Sequence, residues 1–363
     1  MDAPSDSRTG PVGDLPDHRA PKTLSHKLYG IQALRAVAAV SVLLCHALYF
    51  SFPRFKNFDA IWGKIDLFLA AFGVTLFFVL SGFLMGLLAR TMPAGRFITH
   101  RIARIYPIYW IVTAAVLIGH VLAKSPITTN LPALALTPGP GRPFVLLIQW
   151  TLQFEIAFYL VVTAVIALGL GRRIGWVALA WLAAILVGRV ALPTLITDQP
   201  PLDVMLINSS CVPFAMGLLV PDVLDRVKVG RWALPAGVAA IASGFFLRHD
   251  FSWPMGIGFC LVVAWTASQD LQSKRQAPNL VTSFGDWSYA LYLIHAPIVL
   301  AITSIPMARP LAFALAVTLP IAAFAPVGVL DIWLHKKLRA IADARPRAGL
   351  AFTGLILAAF LFA

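Results

Sequence analysis

Only a few ionisable side chains fall within the apolar stretches of this chain, and their types and spacing suit acid–base chemistry. Arg35 and His46 lie eleven residues apart in the apolar run 28–50. Eleven helical steps of about 100° return nearly to the starting face, roughly 16 Å further along the axis. The two side chains are therefore expected to look into one cavity. Glu155 is the only glutamate, against fifteen aspartates, and sits eleven residues into a second apolar run, 144–170. A carboxylate in such surroundings needs a cationic or proton-donating partner, which His46 or Arg35 could supply. A carboxylate that holds an imidazole fixes its tautomer and raises its basicity, as a general base requires. Each residue also has a structural reading. Arg35 would snorkel to the interface, His46 would make one interhelical hydrogen bond, and Glu155 would serve a plain ion pair.

Two further groups carry polar chemistry. Arg96, His100, Arg101 and Arg104 form a basic segment in which Arg101 and Arg104 are i,i+3 neighbours. Arginine pairs bind phosphates through bidentate hydrogen bonds, although a basic loop against anionic lipid uses the same residues. His295 follows Tyr292 by three residues and Ser288 by seven, making one polar stripe that a hydrogen-bond network would also explain. Cys45, Cys211 and Cys260 sit in apolar runs without metal-like spacing, so neither a disulfide framework nor a metal site is expected. There is no P-loop and no Gly-x-Ser-x-Gly elbow, and a single glutamate leaves no zincin motif. Gly169–Gly175 has no strand before it and is no dinucleotide fingerprint, while Gly82 and Gly86 mark a close helix contact.

These residues must be held by membrane-spanning helices. Apolar residues make up 59% of the chain and charged residues 12%, against about 45–50% and 25% in soluble domains. The mean hydropathy is +0.80. Apolar stretches of roughly 20 residues define spans, which gives an all-α, polytopic transmembrane helix bundle of ten or eleven. The spans are 28–50, 66–89, 105–123, 144–170, 174–192, 204–220, 232–247, 253–266, 287–305, 310–333 and 349–363, the eighth and last being short. Residues 1–27 lack an apolar h-region and read as a disordered cytoplasmic tail rather than a cleavable signal peptide. Residues 28–335 form the transmembrane domain, and 336–363 a basic segment with a short hydrophobic helix. With the N-terminus in the cytoplasm, twenty lysines and arginines fall on inner segments. Seven fall on outer loops: Arg54, Lys56, Lys64, Lys124, Arg142, Arg248 and Arg309. That asymmetry follows the positive-inside rule and accounts for much of the net charge of +13 without a nucleic-acid partner.

In sequence order these motifs resemble the integral-membrane acyltransferase family 3. The family's first span carries an arginine and a histidine with ten residues between them, as do Arg35 and His46. Its second span is similar to Gly73-Val-Thr-Leu-Phe-Phe-Val-Leu-Ser81-Gly82, with Thr75 where the family usually has aspartate. Arg101-Ile-Ala-Arg104-Ile-Tyr-Pro107 resembles its Arg-x-x-Arg-Ile-Tyr-Pro signature, and Trp150-Thr-Leu-Gln-Phe-Glu155 its Trp-Ser/Thr-Leu-x-x-Glu stretch. Ser288-Tyr-Ala-Leu-Tyr-Leu-Ile-His295 matches its late element. Ile31-Gln-Ala-Leu-Arg35 looks most like exopolysaccharide and O-antigen O-acetyltransferases.

The resemblance implies transfer of an acyl group, most often acetyl, from cytoplasmic acyl-CoA to a carbohydrate hydroxyl, on a lipid-linked or polymeric acceptor. It implies a multi-pass protein of the bacterial inner membrane, among membrane lipids, with no permanently bound cofactor. Arg101 and Arg104, with Arg96 beside them, would hold the CoA phosphates. Arg35 would guide the thioester toward His46, the general base, which Glu155 would orient or charge. Ser81, Ser288, Tyr292 and His295 would support them. Direct transfer and a covalent His46 intermediate both remain open. Two other classes use the same polar residues: a proton-coupled transporter or flippase for a glycan intermediate, and a non-catalytic subunit of a polysaccharide export machine. Transporters often carry inverted repeats, and none is visible here.

Overall fold

A computed structural model describes residues 28–57, 60–126, 129, 131–139, 144–191, 200–246, 252–272 and 279–362. The tail 1–27 and the basic residues Arg142, Arg248, Lys274 and Arg275 lie outside the described residues. Among the described residues the structure is 86% helical, with thirteen helices and no strand. In chain order these are α1 (Tyr29–Ser51), α2 (Ile61–Ala89), α3 (Ala94–Leu122), α4 (Leu131–Ala135), α5 (Gln149–Ala167) and α6 (Ile174–Ala191). They continue with α7 (Leu202–Met205), α8 (Val212–Arg226), α9 (Ala233–Ser243), α10 (Ser252–Gln272), α11 (Asn279–Thr303), α12 (Arg309–Ala344) and α13 (Pro346–Phe362). Six of these, α1, α2, α3, α5, α6 with its preceding 3-10 turn, and α12, are long and apolar enough to cross a membrane. The chain is a multi-pass membrane protein.

Several helix ends are shifted from the sequence-based spans, and four differences bear on the architecture. The third helix begins at Ala94, directly after Pro93, so the basic segment is the first part of α3 and not a connecting loop. The sixth span is broken. Asn208 accepts a hydrogen bond from the Ser210 amide, and Pro213 opens a new helix, so α7 and α8 replace one continuous run. α12 runs on to Ala344, which makes the basic residues Lys336, Lys337 and Arg339 helical.

The fourth difference concerns the connection between the third and fourth spans. After leaving α3 at Leu122, the chain returns to place α4 beside Tyr106 and Tyr109, near the middle of α3. Irregular backbone at that depth is tolerated only where its polar groups are satisfied inside the protein. Side chains provide this. Tyr106 donates to the Ala135 carbonyl at 2.8 Å, Tyr109 to Ala133 at 2.7 Å, Trp110 to Leu134 at 3.0 Å and Gln153 to Thr137 at 2.9 Å. Leu136 takes a left-handed φ of 60° to make the bend. The fourth span consequently begins as a helix only at Gln149.

Two contacts fix the helices that matter for the site. α1 packs against α2 and α11, and its start is capped from α10: the Gly30 and Ile31 amides donate to the Asp270 carboxylate at 2.9 and 3.2 Å. A carboxylate there satisfies orphan amides and complements the helix dipole. α2 meets α8 at Gly82 and Gly217, where the expected close contact is realised. A Cβ on Gly82 would strike the Phe214 carbonyl, and one on Gly217 that of Val79.

Candidate active site

A cavity of about 130 Å³ opens among α1, α2, α3, α5 and α11. Its polar wall holds Arg35, Arg101, Arg104, Glu155, Tyr159 and Tyr289. Phe77, Phe78, Leu84 and Met85 of α2 make its apolar side. α5 contributes Thr151, Glu155 and Tyr159 at successive i,i+4 positions, one helical face turned into the cavity.

The three arginines are not equivalent. Arg104 donates to Asp331 of α12 at 2.7 Å, and its guanidinium lies 5.1 Å from the centre of the Tyr289 ring. The Asp331 side chain is only 2% exposed, so this ion pair is built into the bundle. Arg101 has no such partner: its Nε is buried and without a hydrogen bond among the described residues. Glu155 accepts from the Tyr159 hydroxyl and feels the charges of Arg101, Arg35 and Arg104. The lining itself holds three guanidinium groups and one carboxylate, Glu155, while Asp331 and Asp286 lie outside it beside Arg104 and Arg35, so the wall that faces the partly apolar cavity is positive. Such a site favours an anion whose remainder is apolar, and charge-assisted hydrogen bonds would hold it.

His46 sits apart from this wall. Its Nδ1 lies 2.9 Å from Nε2 of His295, and the two rings stack with centroids 5.1 Å apart and planes 21° from parallel. Nδ1 of His295 is 3.2 Å from the Leu291 carbonyl. The Tyr292 ring lines the cavity and lies 5.7 Å from His295, and its hydroxyl shares a hydrogen bond with Thr151. A continuous path of side chains thus runs from the cavity through Tyr292 and His295 to His46.

Arg35, Arg101, Arg104, Glu155, Ser81 and Tyr292 all line the cavity. His46 and Arg35 do not share it, because the 16 Å helical rise between them carries His46 past its end. The hydrogen-bond partner of His46 is His295, whereas that of Glu155 is Tyr159. Arg96 lies outside the cavity, in a charge cluster with Asp343 and His100, where its Nε and Nη2 donate to the carboxylate at 3.0 Å. Ser288 is buried and donates to the Gly285 carbonyl of its own helix. Thr75 is buried in α2 and is not on the cavity wall. The sequence reading missed Tyr159, Tyr289 and Thr151. The helical spacing of Thr151 and Tyr159 from Glu155 carried the signal for two of them.

Residues 28–330 match the family model described as the acyltransferase domain, of acyltransferase family 3. The chain is similar to the exopolysaccharide production protein ExoZ of Rhizobium meliloti (strain 1021), 27% identical over 248 residues, covering 62% of this chain and 76% of that protein. It is also similar to the acyltransferase MdmB of Streptomyces mycarofaciens, 26% identical over 312 residues, covering 74% of this chain and 78% of that protein. No solved structure matches.

Proposed function

This chain belongs to acyltransferase family 3, and from that premise we propose that it moves an acyl group, acetyl in the first instance, from cytoplasmic acyl-CoA to a carbohydrate hydroxyl. The N-terminus lies in the cytoplasm, and the protein resides in the bacterial inner membrane. One observation carries the reading: a cavity with surplus positive charge is joined through Tyr292 and His295 to a second, half-buried imidazole, His46. The cavity's arginines suit the anionic donor, with Arg101 free to bond a phosphate because Arg104 is already engaged by Asp331. The Arg35 end of α1 faces the cytoplasm, where the donor is made, and the His46 end faces the acceptor. A relative named for exopolysaccharide production supports a polymeric or lipid-linked carbohydrate as that acceptor.

His46 acts as general base. As the acceptor oxygen bonds to the acyl carbon and the carbon–sulfur bond breaks, His46 takes the hydroxyl proton and then passes it to the leaving CoA thiolate. Such a base contributes about 10²–10⁴-fold. The test uses the full chain in lipid nanodiscs with radiolabelled acetyl-CoA and the host glycan. Covalent label on the glycan is expected with the unaltered chain and is lost in His46→Ala, which still inserts and runs as a folded protein. Transport of glycan with no labelled product, or full activity in a folded His46→Ala protein, would refute the proposal.

A further inference from the structure

We propose that His295 is the positioning residue for His46, fixing the tautomer that leaves Nε2 of His46 bare for the acceptor hydroxyl. The inference rests on the acyl-transfer reading above and adds to it a residue and a proton address.

The protons can be followed atom by atom. Nδ1 of His295 lies 3.2 Å from the Leu291 carbonyl oxygen. A carbonyl only accepts, so that nitrogen carries the hydrogen, and in a neutral ring Nε2 is then an acceptor. Nδ1 of His46 lies 2.9 Å from this acceptor and must be the donor. His46 is thereby held with its hydrogen on Nδ1 and its lone pair on Nε2. His295 is fully buried, so water does not compete for its nitrogens. Its neutral form is favoured because the acid of the cavity, Glu155, bonds Tyr159 instead, and an uncompensated buried charge is costly. The hydrogen bond to His46 and the neighbouring Tyr292 ring, itself held by Thr151, keep the His295 ring in place.

The arrangement resembles a carboxylate-oriented base except that the orienting group is a neutral imidazole. When His46 Nε2 takes the hydroxyl proton, the hydrogen on Nδ1 still donates to His295 Nε2. The imidazolium keeps its partner, and no second proton moves.

The test compares His295→Leu with His295→Gln in the full chain in nanodiscs, using acetyl-CoA and the host glycan. Leucine removes the acceptor, whereas the glutamine Oε1 restores one. By analogy with lost orienting partners, His295→Leu should lower kcat about 100-fold with the KM for acetyl-CoA unchanged. His295→Gln should stay within about 10-fold of the unaltered chain. Nitrogen-15 NMR of histidine-labelled protein should show His46 protonated on Nδ1 in the unaltered and glutamine proteins. If His295→Leu does not insert, the glutamine protein's kinetics and the NMR tautomer decide alone. Unchanged kcat in a folded leucine protein, a glutamine protein as slow as the leucine one, or His46 protonated on Nε2 would overturn the proposal. Activity in His46→Ala would instead sink the general-base reading itself, so the two failures are distinguishable.

Discussion

The two arginines of the Arg101–Arg104 pair should fail differently when truncated, because only one has a built-in partner. Arg104 is tied to Asp331, whose side chain is 2% exposed. Removing Arg104 strands that carboxylate inside the bundle, a loss of about 3–5 kcal/mol in stability. Arg101 has a buried Nε with no hydrogen bond among the described residues, and without it Glu155 keeps the Tyr159 hydroxyl and the charges of Arg35 and Arg104, so its removal strands no ion-paired carboxylate. What Arg101→Ala loses is a charge-assisted hydrogen bond to the donor, about 2 kcal/mol. At 1.36 kcal/mol per tenfold, this becomes about a 30-fold higher KM for acyl-CoA. The assay pairs thermal unfolding in detergent with steady-state kinetics at varied acetyl-CoA and varied acceptor. Arg101→Ala should keep its unfolding midpoint and raise only the donor KM. Arg104→Ala should unfold at clearly lower temperature, and pairing Arg104→Met with Asp331→Leu should recover most of that loss. Equal destabilisation by the two alanine substitutions would refute the reasoning, as would Arg101→Ala raising the acceptor KM as much as the donor KM.

Two stability predictions follow from the packing. Asp270→Ala removes the acceptor for the Gly30 and Ile31 amides and should cost about 1 kcal/mol, seen as a lower unfolding midpoint with unchanged KM values; an unchanged midpoint would show that the cap contributes nothing. Gly82→Ala sets a Cβ against the Phe214 carbonyl and should cost about 1–3 kcal/mol, whereas Gly354→Ala, with open space around its Cβ, should cost nothing. Equal midpoints for both glycine variants would mean that α2 and α8 do not approach as closely as described.

Much of the helical architecture was legible because lipid admits few alternatives: apolar runs of span length must be helical to satisfy their own backbone. The stretch 66–89 became α2, and Gly82 marked its close contact with α8. Five ordered motifs between Arg35 and His295 placed the family, and Arg35, Arg101, Arg104 and Glu155 from three of them meet at one cavity. Local signals also misled. A basic segment looks like a loop whether or not it continues a helix, so the start of α3 and the end of α12 were read short.

What the sequence determined by itself was the all-helical class, the apolar stretches that become its long helices and the short inventory of groups too polar to be there by accident, since composition and helical period act locally. Partner choice was decided only by the tertiary structure. The separations of His46 from His295, of Arg104 from Asp331 and of Glu155 from its arginines are set by how α1, α3, α5, α11 and α12 cross. The descent of α4 to mid-bundle likewise depends on Tyr106, Tyr109 and Gln153 being aimed at its carbonyls from other helices. Helical periodicity says which residues share a face. Hydrogen bonds and ion pairs form over about 3 Å between faces, and only the packing of whole helices brings two faces that close.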